Sequence, residues 1–262
     1  EYLIFGSVDA GRETMIKGIH QLPPAHCCLI DIKNCLFIDY QRYWKIDLSK
    51  KNTLSFKDAA DKLRNLFLES VKLHLRSDVP LGIALSGGID SSAVACAVRH
   101  IYPDIPIHTF SYIAHDSEKL SEEKWIDIIN NHINAVSHKV YVDSKDVFTD
   151  LDKLIMRLGE PFGSTSIYAQ YRVFQLVRES GVTVTLDGQG ADELLAGYNG
   201  YPAERLATLV GRFSFIKAFD FLWKSGAWPG RSRKSIMIQF AGNILPDFLK
   251  ILGRIIVGRP FF

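Results

Sequence analysis

The 262-residue chain has no apolar run near the ~18 residues that a membrane-spanning helix needs, so no transmembrane segment is expected. Its opening, EYLIFGSVDAGRE, lacks the basic and apolar regions of a secretory signal peptide. The four cysteines, Cys27, Cys28, Cys35 and Cys96, form no C-x-x-C pair and have no histidine at ligand spacing, which argues against a zinc site. His108, His115, His132 and His138 are likewise scattered and receive no role. An excess of one charge is missing too. With 31 Lys and Arg against 29 Asp and Glu, the net charge of +2 is too mild for a nucleic-acid surface. Repeats and low-complexity tracts are absent. What is present, 47% hydrophobic and 23% charged residues, is an ordinary globular balance, and the expectation is a cytoplasmic protein acting on small molecules.

The chain is organised around Leu81 to His100, LGIALSGGIDSSAVACAVRH. Gly82 to Leu85 reads as a short buried parallel strand, and Ala93 to Val98 as a helix without breakers. Between them, Gly87 and Gly88 permit a sharp turn that brings backbone N–H groups close to a bound anion. Ser91 and Ser92 stand at the helix start, where unsatisfied N–H donors and the positive dipole end favour phosphate. A Walker A lysine is absent, so Asp90 is expected to recruit magnesium to the phosphates.

Around this stretch, strands alternate with helices. Ser55 and Asp58 look like a capping pair, and Phe56, Ala59, Ala60, Leu63, Leu66, Phe67 and Val71 follow at helical spacing as a core stripe. Further strands are expected at 107–113, 137–142 and 182–186. Helices are expected from about Ser121, at 147–158 and at 166–180. That alternation predicts an α/β fold with a parallel sheet between helices, its ligand beyond the strand C-terminal ends, and Ser86, Ser111 and Asp187 on one rim. Ahead of it, CCLIDI and CLFIDY around Lys33-Asn34 read as a β-hairpin. Beyond it, 201–262 reads as a helical region, with Phe248 to Val257 a basic amphipathic stretch.

A second motif closes the last strand: Leu186-Asp187-Gly188-Gln189-Gly190-Ala191-Asp192-Glu193-Leu194, then Gly197-Tyr198. Asp187 and Asp192 bring carboxylates toward the same rim as Asp90, the oxygen donors that magnesium on a pyrophosphate requires.

Ser86 to Ser91 resembles the SGGxDS loop of pyrophosphatase-loop nucleotide-binding enzymes, and GQGADEL with its Gly-Tyr resembles the second signature of the asparagine synthetase family. Glu160-Pro161-Phe162 with Ser164 and Tyr168 resembles that family's EPF segment, and Glu122 falls where the family often has an acid. Lys17-Gly18-Ile19, Leu22-Pro23-Pro24 and Arg42-Tyr43-Trp44 resemble the end of the glutaminase domain of class B asparagine synthetases. The resemblance implies an adenine nucleotide alpha hydrolase-like fold. Residues 1–45 would be a glutaminase remnant, 46–54 a linker, 55–200 the synthetase domain and 201–262 a truncated helical extension.

The resemblance also implies ATP and magnesium, an aspartate-like carboxylate, ammonia from glutamine and a homodimer. Leu85, Ser86, Gly87, Gly88, Asp90, Ser91, Ser92, Ser111, Asp187 and Gly188 would hold ATP. Asp90 and Asp192 would hold the metal, and Gln189 would sit near the amino acid. Three departures stand out. Asp187 replaces a serine, these 262 residues, which open near the end of the glutaminase-like segment, hold no N-terminal cysteine nucleophile (Cys27 and Cys28 do not take its place), and no late catalytic lysine can be matched. A transfer-RNA-modifying enzyme and an inactive nucleotide-binding subunit remain as alternatives.

Overall fold

The computed structural model describes residues 11–47, 49–50, 52–114, 121–228 and 232–244. His115 and the amphipathic stretch at 248–257 lie outside them. The chain divides into two compact units, Glu1–Gly188 and Gln189–Phe262, and no helix among the described residues is long and apolar enough to cross a membrane.

The first unit begins with the expected hairpin. Strands β1 (His26–Asp31) and β2 (Leu36–Arg42) pair antiparallel, with an irregularity between Leu29 and Ile30. The turn is held by Asp31, whose carboxylate accepts from the Lys33 and Asn34 amides and from the Asn34 side chain. Those bonds lower the Asp31 carboxyl below its usual range, the Asn34 side chain contributing most. Asn34 therefore works here as a partner of an Asx turn, and Cys35 takes the left-handed conformation (φ 52°). Cys27, Cys28 and Cys35 are exposed free thiols on this hairpin.

Helix α1 (Phe56–His74) starts where the capping pair placed it. Ser55 Oγ accepts from the Asp58 amide at 3.2 Å and donates to the Asp58 carboxylate at 2.7 Å. The expected core stripe is only half right. Val71 is buried and Phe67 and Leu68 pack on the core, whereas Phe56, Leu63 and Leu66 are exposed. The C-terminal half of the helix lies on the sheet layer, and the apolar N-terminal half finds no cover among the described residues.

The sheet holds β3 (Leu81–Ala84), β4 (His108–Ala114), β5 (Val136–Val142) and β6 (Val184–Leu186), in the order β5-β4-β3-β6 and parallel throughout. Helices α2 (Ile89–Ile101), α3 (Glu123–Ile133), α4 (Ser144–Leu158) and α5 (Thr165–Glu179) make the crossovers. Both faces are covered. Ile83, Leu85, Ala95, Val98, Ile113 and Ile126 form one core layer with α2 and α3. On the opposite face Phe110 packs with Val173 and Val177 of α5 and with Val182. Gly82 has no side chain because Phe110 fills its place: a Cβ there would stand 2.5 Å from the ring.

Polar anchors fix α3 against the sheet. Buried Thr109 donates to Asn130 at 2.6 Å, and Asn130 donates to Ser137 at 2.9 Å. Lys139 of β5 reaches Glu123 at 2.8 Å and Asp127 at 2.6 Å. Bonds from Lys139 and then Tyr141 hold the Glu123 carboxyl below its usual range. At the far end, Arg99 of α2 donates to the carbonyls of Ile133, Asn134, Pro103 and Ile105. Cys96 is partly buried on the core, and burial pushes its thiol up, away from reactivity.

The second unit is helical: α6 (Ala191–Leu195), α7 (Tyr201–Gly211), α8 (Phe215–Ser225) and α9 (Arg233–Ile244). Leu206, Leu209, Ala218 and Ile236 form its core. Arg233 stacks over Trp223, its guanidinium 4.4 Å from the ring centre, and donates to the Trp223 carbonyl.

Candidate active site

The strand order explains where the site forms. From β3 the chain moves outward to β4 and β5, then returns to the other side of β3 as β6. Loops after two neighbouring strands whose connections diverge leave a crevice at their C-terminal ends, which is where open α/β sheets hold ligands. Here those loops are the two sequence motifs.

The first loop is shaped by Ser91. Buried at the start of α2, its hydroxyl accepts from the Ser86 amide at 3.2 Å and donates to the Gly88 carbonyl at 3.2 Å. Ser86 Oγ, 3.0 Å away, accepts from the Gly88 amide. A hydroxyl has one proton, so with Ser91 donating to Gly88 the Ser86 hydroxyl donates to Ser91, and the ring of bonds is complete. Ser92 N–H bonds back to the Gly88 carbonyl. The amides of Ile89, Asp90 and Ser91, in the first turn, have no carbonyl of their own helix to bond and point to the loop end of α2.

Two glycines let other segments close on this loop. Gly87 is left-handed (φ 84°), and a Cβ on it would stand 3.2 Å from the Glu122 carbonyl, Trp125 Cβ and Ile126 Cγ1. The first turn of α3 is therefore a wall against the loop. Gly188, directly after β6, lies on the opposite flank, where a Cβ would stand 2.8 Å from the Ser91 nitrogen and 2.9 Å from the Asp90 carbonyl carbon and Cβ. The backbone at Gly188, at the end of the first unit, thus lies directly against the start of α2.

Leu85 is 1% exposed, so only its backbone borders the loop. Ser111 sits level with it, also 1% exposed, and donates to the Leu85 carbonyl at 2.7 Å. The rim expected for Ser111 lies further along, because β4 continues to Ala114. Ser111 holds the last peptide before the loop. Asp187 and Asp90 are both partly buried beside Gly188 in the chain order and in space respectively.

Gln189 and Asp192 belong to the second unit. Gln189 is exposed, and Gly190 takes φ 89° to start α6. The Asp192 carboxylate lies over Gly197, where any Cβ would occupy the place of its Oδ1. The glycine of the Gly-Tyr pair is thus required by the acid five residues earlier. Tyr198 donates to Glu193 at 2.7 Å, and that bond raises the phenol above its usual range.

A family model, Asparagine synthase, matches residues 62–240, more than half of the chain. This chain belongs to the asparagine synthase family. A putative glutamine-hydrolysing asparagine synthetase 2 of Methanocaldococcus jannaschii is 35% identical over 163 residues, 61% of this chain and 31% of that protein. Glutamine-hydrolysing asparagine synthetase 3 of Bacillus subtilis is 30% identical over 218 residues, 79% of this chain and 34% of that protein. The chain spans about a third of the length of these relatives. Among solved structures, an ammonia-dependent NAD synthetase of Campylobacter jejuni aligns with a TM-score of 0.35 at 19% identity, over 56% of this chain and 62% of that one.

In this asparagine synthase-family chain the match runs from within α1 to within α9 and includes both motifs. Trp125, whose Cβ lies against Gly87, received no role from the sequence, where SEEKW read as an ordinary helix start. Magnesium suits the donors at hand, since it is commonly held by one or two carboxylates plus substrate phosphates and waters. Asp90 supplies such a carboxylate next to the loop amides. No group of three or more metal-ligating side chains occurs among the described residues, so phosphate oxygens would complete the set.

Proposed function

We propose that this chain carries the ATP-activation site of a glutamine-dependent asparagine synthetase, using ATP to convert a substrate carboxylate, aspartate foremost, into its amide. The observation that supports the reading is the approach of Gly188, where the second motif begins to turn, to the Asp90–Ser91 backbone at the start of α2.

In the proposed reaction a carboxylate oxygen attacks the α-phosphorus of ATP, and the bond to the β-phosphate oxygen breaks, giving an acyl-adenylate and pyrophosphate. Ammonia then attacks the acyl carbon, AMP departs, and nitrogen loses a proton to give the amide. A carboxylate is a weak nucleophile, so the chain's contribution is in-line positioning and stabilisation of the leaving pyrophosphate. The Ile89, Asp90 and Ser91 amides provide donors for it, each worth about 2.7–4 kcal/mol in the barrier by analogy with oxyanion-hole removals. Magnesium, when bound through Asp90 and Asp192, would neutralise phosphate charge. Gln189 would border the amino acid, and Asp187 a ribose hydroxyl or the metal ion. Residues 1–45 would be the end of the glutaminase domain that supplies ammonia, and 55–200 the synthetase domain proper.

The deciding experiment is pyrophosphate release from ATP with magnesium and ammonia, with and without aspartate. Aspartate-dependent release, abolished by Asp90→Asn and by Asp192→Asn with the fold intact, is expected. Release indifferent to aspartate, or unchanged turnover in either variant, would refute the reading.

A further inference from the structure

The Ser86–Ser92 loop contains no lysine, yet a polyphosphate brought to it carries several negative charges beside Asp90. The wall across Gly87 offers a cation and a flat surface. Ile126 is fully buried and its neighbour Trp125 is 57% exposed, although Trp125 Cβ lies against the loop glycine. Lys124 extends its ammonium over the Trp125 ring, 5.6 Å from the centre. The turn that carries both is rigid, because Glu123 and Asp127 are tied to Lys139 and Asn130 is buried between Thr109 and Ser137. Glu123 is committed to Lys139 and Tyr141, and the Lys124 ammonium over the Trp125 ring is the cation this turn can offer a ligand's charge.

We propose that Trp125, with Lys124 drawn across it, is the side wall that positions the polyphosphate end of a magnesium nucleotide in the Ser86–Ser92 loop. The role rests on the adenylation reading above and adds to it a determinant of phosphate affinity outside both motifs. Trp125 Cβ lies against the loop glycine, and the ammonium held over its ring adds to that flank a positive charge that acts on phosphate with the strength of an exposed ion pair.

The test titrates the full chain and its Lys124→Gln, Trp125→Ala and Trp125→Phe variants with magnesium pyrophosphate, magnesium ATP and AMP. In the unsubstituted chain, magnesium pyrophosphate changes the tryptophan fluorescence. Trp125→Phe abolishes that change while restoring most of the affinity that Trp125→Ala loses, because the flat wall is retained. Lys124→Gln weakens pyrophosphate and ATP about threefold to fivefold, the range of an exposed ion pair, and flattens their salt dependence without affecting AMP. Lys124 is exposed, so its replacement leaves folding intact even where Trp125→Ala does not. A fluorescence response that survives in Trp125→Phe, or a Lys124→Gln affinity equal to the parent at every salt concentration, overturns the wall. Failure of the parent chain to bind magnesium ATP overturns the adenylation reading itself.

Discussion

Replacing Gly188 by alanine isolates the contact that joins the two motifs. The φ of Gly188 lies outside the left-handed region, so alanine meets no backbone penalty, and the whole effect comes from the added methyl. That methyl would stand 2.8 Å from the Ser91 nitrogen and 2.9 Å from two atoms of Asp90, against an ordinary contact of 3.4 Å or more. Backbone at a helix start cannot rotate aside as a flexible side chain would, so β6 and α2 must separate by several tenths of an ångström. Overpacking of this kind costs about 1–3 kcal/mol. Stiffening of the unfolded chain by a glycine-to-alanine change returns only about 0.4–1 kcal/mol, and the net effect is destabilising by about 1–2 kcal/mol.

Catalysis should suffer alongside stability. Displacing the loop amides by a fraction of an ångström loses part of the roughly hundredfold that a 1 Å misplacement costs, so pyrophosphate release falls about tenfold or more. Urea unfolding and pyrophosphate release read the two effects. Gly163→Ala is the control, since nothing lies within 4 Å of a Cβ there and its backbone is not left-handed. If Gly188→Ala matches that control in both assays, the second motif does not abut the loop as described.

Ser91→Ala removes the hub of the loop, leaving the Ser86 amide without a partner and the Gly88 carbonyl with the Ser92 amide alone; a loss of about 1–3 kcal/mol by urea unfolding and a raised KM for ATP are expected. Unaltered kinetics would show that the loop holds its shape without Ser91. Asn130→Ala leaves buried Thr109 unpaired, while exposed Ser137 turns to water, and should cost about 1–3 kcal/mol by the same assay; a cost within about 0.5 kcal/mol, as at an ordinary surface site, would refute that account. His138, its pKa lowered from 6.5 by burial and by His108 with Nδ1 3.0 Å away, binds its proton less readily folded than unfolded. The unfolded chain therefore takes up the proton first as pH falls below about 6.5, and stability drops through that window. Comparing urea midpoints at pH 7.5 and 5.5, His138→Gln should show a smaller drop than the parent; an equal drop would locate the pH dependence in other groups.

Local chemistry was legible without coordinates wherever neighbours in the chain are also partners in space. Ser55 and Asp58 cap α1 three residues apart, and the alternation of apolar runs with glycine breaks placed the sheet strands and the helices between them, because burial of one face imposes a period on the sequence. The loop from Ser86 to Ser92 was readable for the same reason: its bonds all lie within six residues. Both motifs, and the expectation that Asp90 stands beside an anion site, follow from residue type and spacing alone.

What needed the tertiary structure is everything set by strand order. Ser111 looked like a rim residue and instead spends its hydroxyl on the Leu85 carbonyl, because register placed it one level below the loop. His108 and His138, scattered in sequence, meet on adjacent parallel strands. Phe56, Leu63 and Leu66 have the helical spacing of a core stripe yet remain exposed, since periodicity shows which face is apolar and not what lies opposite it. The return of β6 to the side of β3 brings Gly188 onto Ser91, nearly a hundred residues away. A sequence records the chemistry of each segment, but long-range proximity is chosen by the packing that buries the most apolar surface with its polar groups paired, and that choice belongs to the folded chain as a whole.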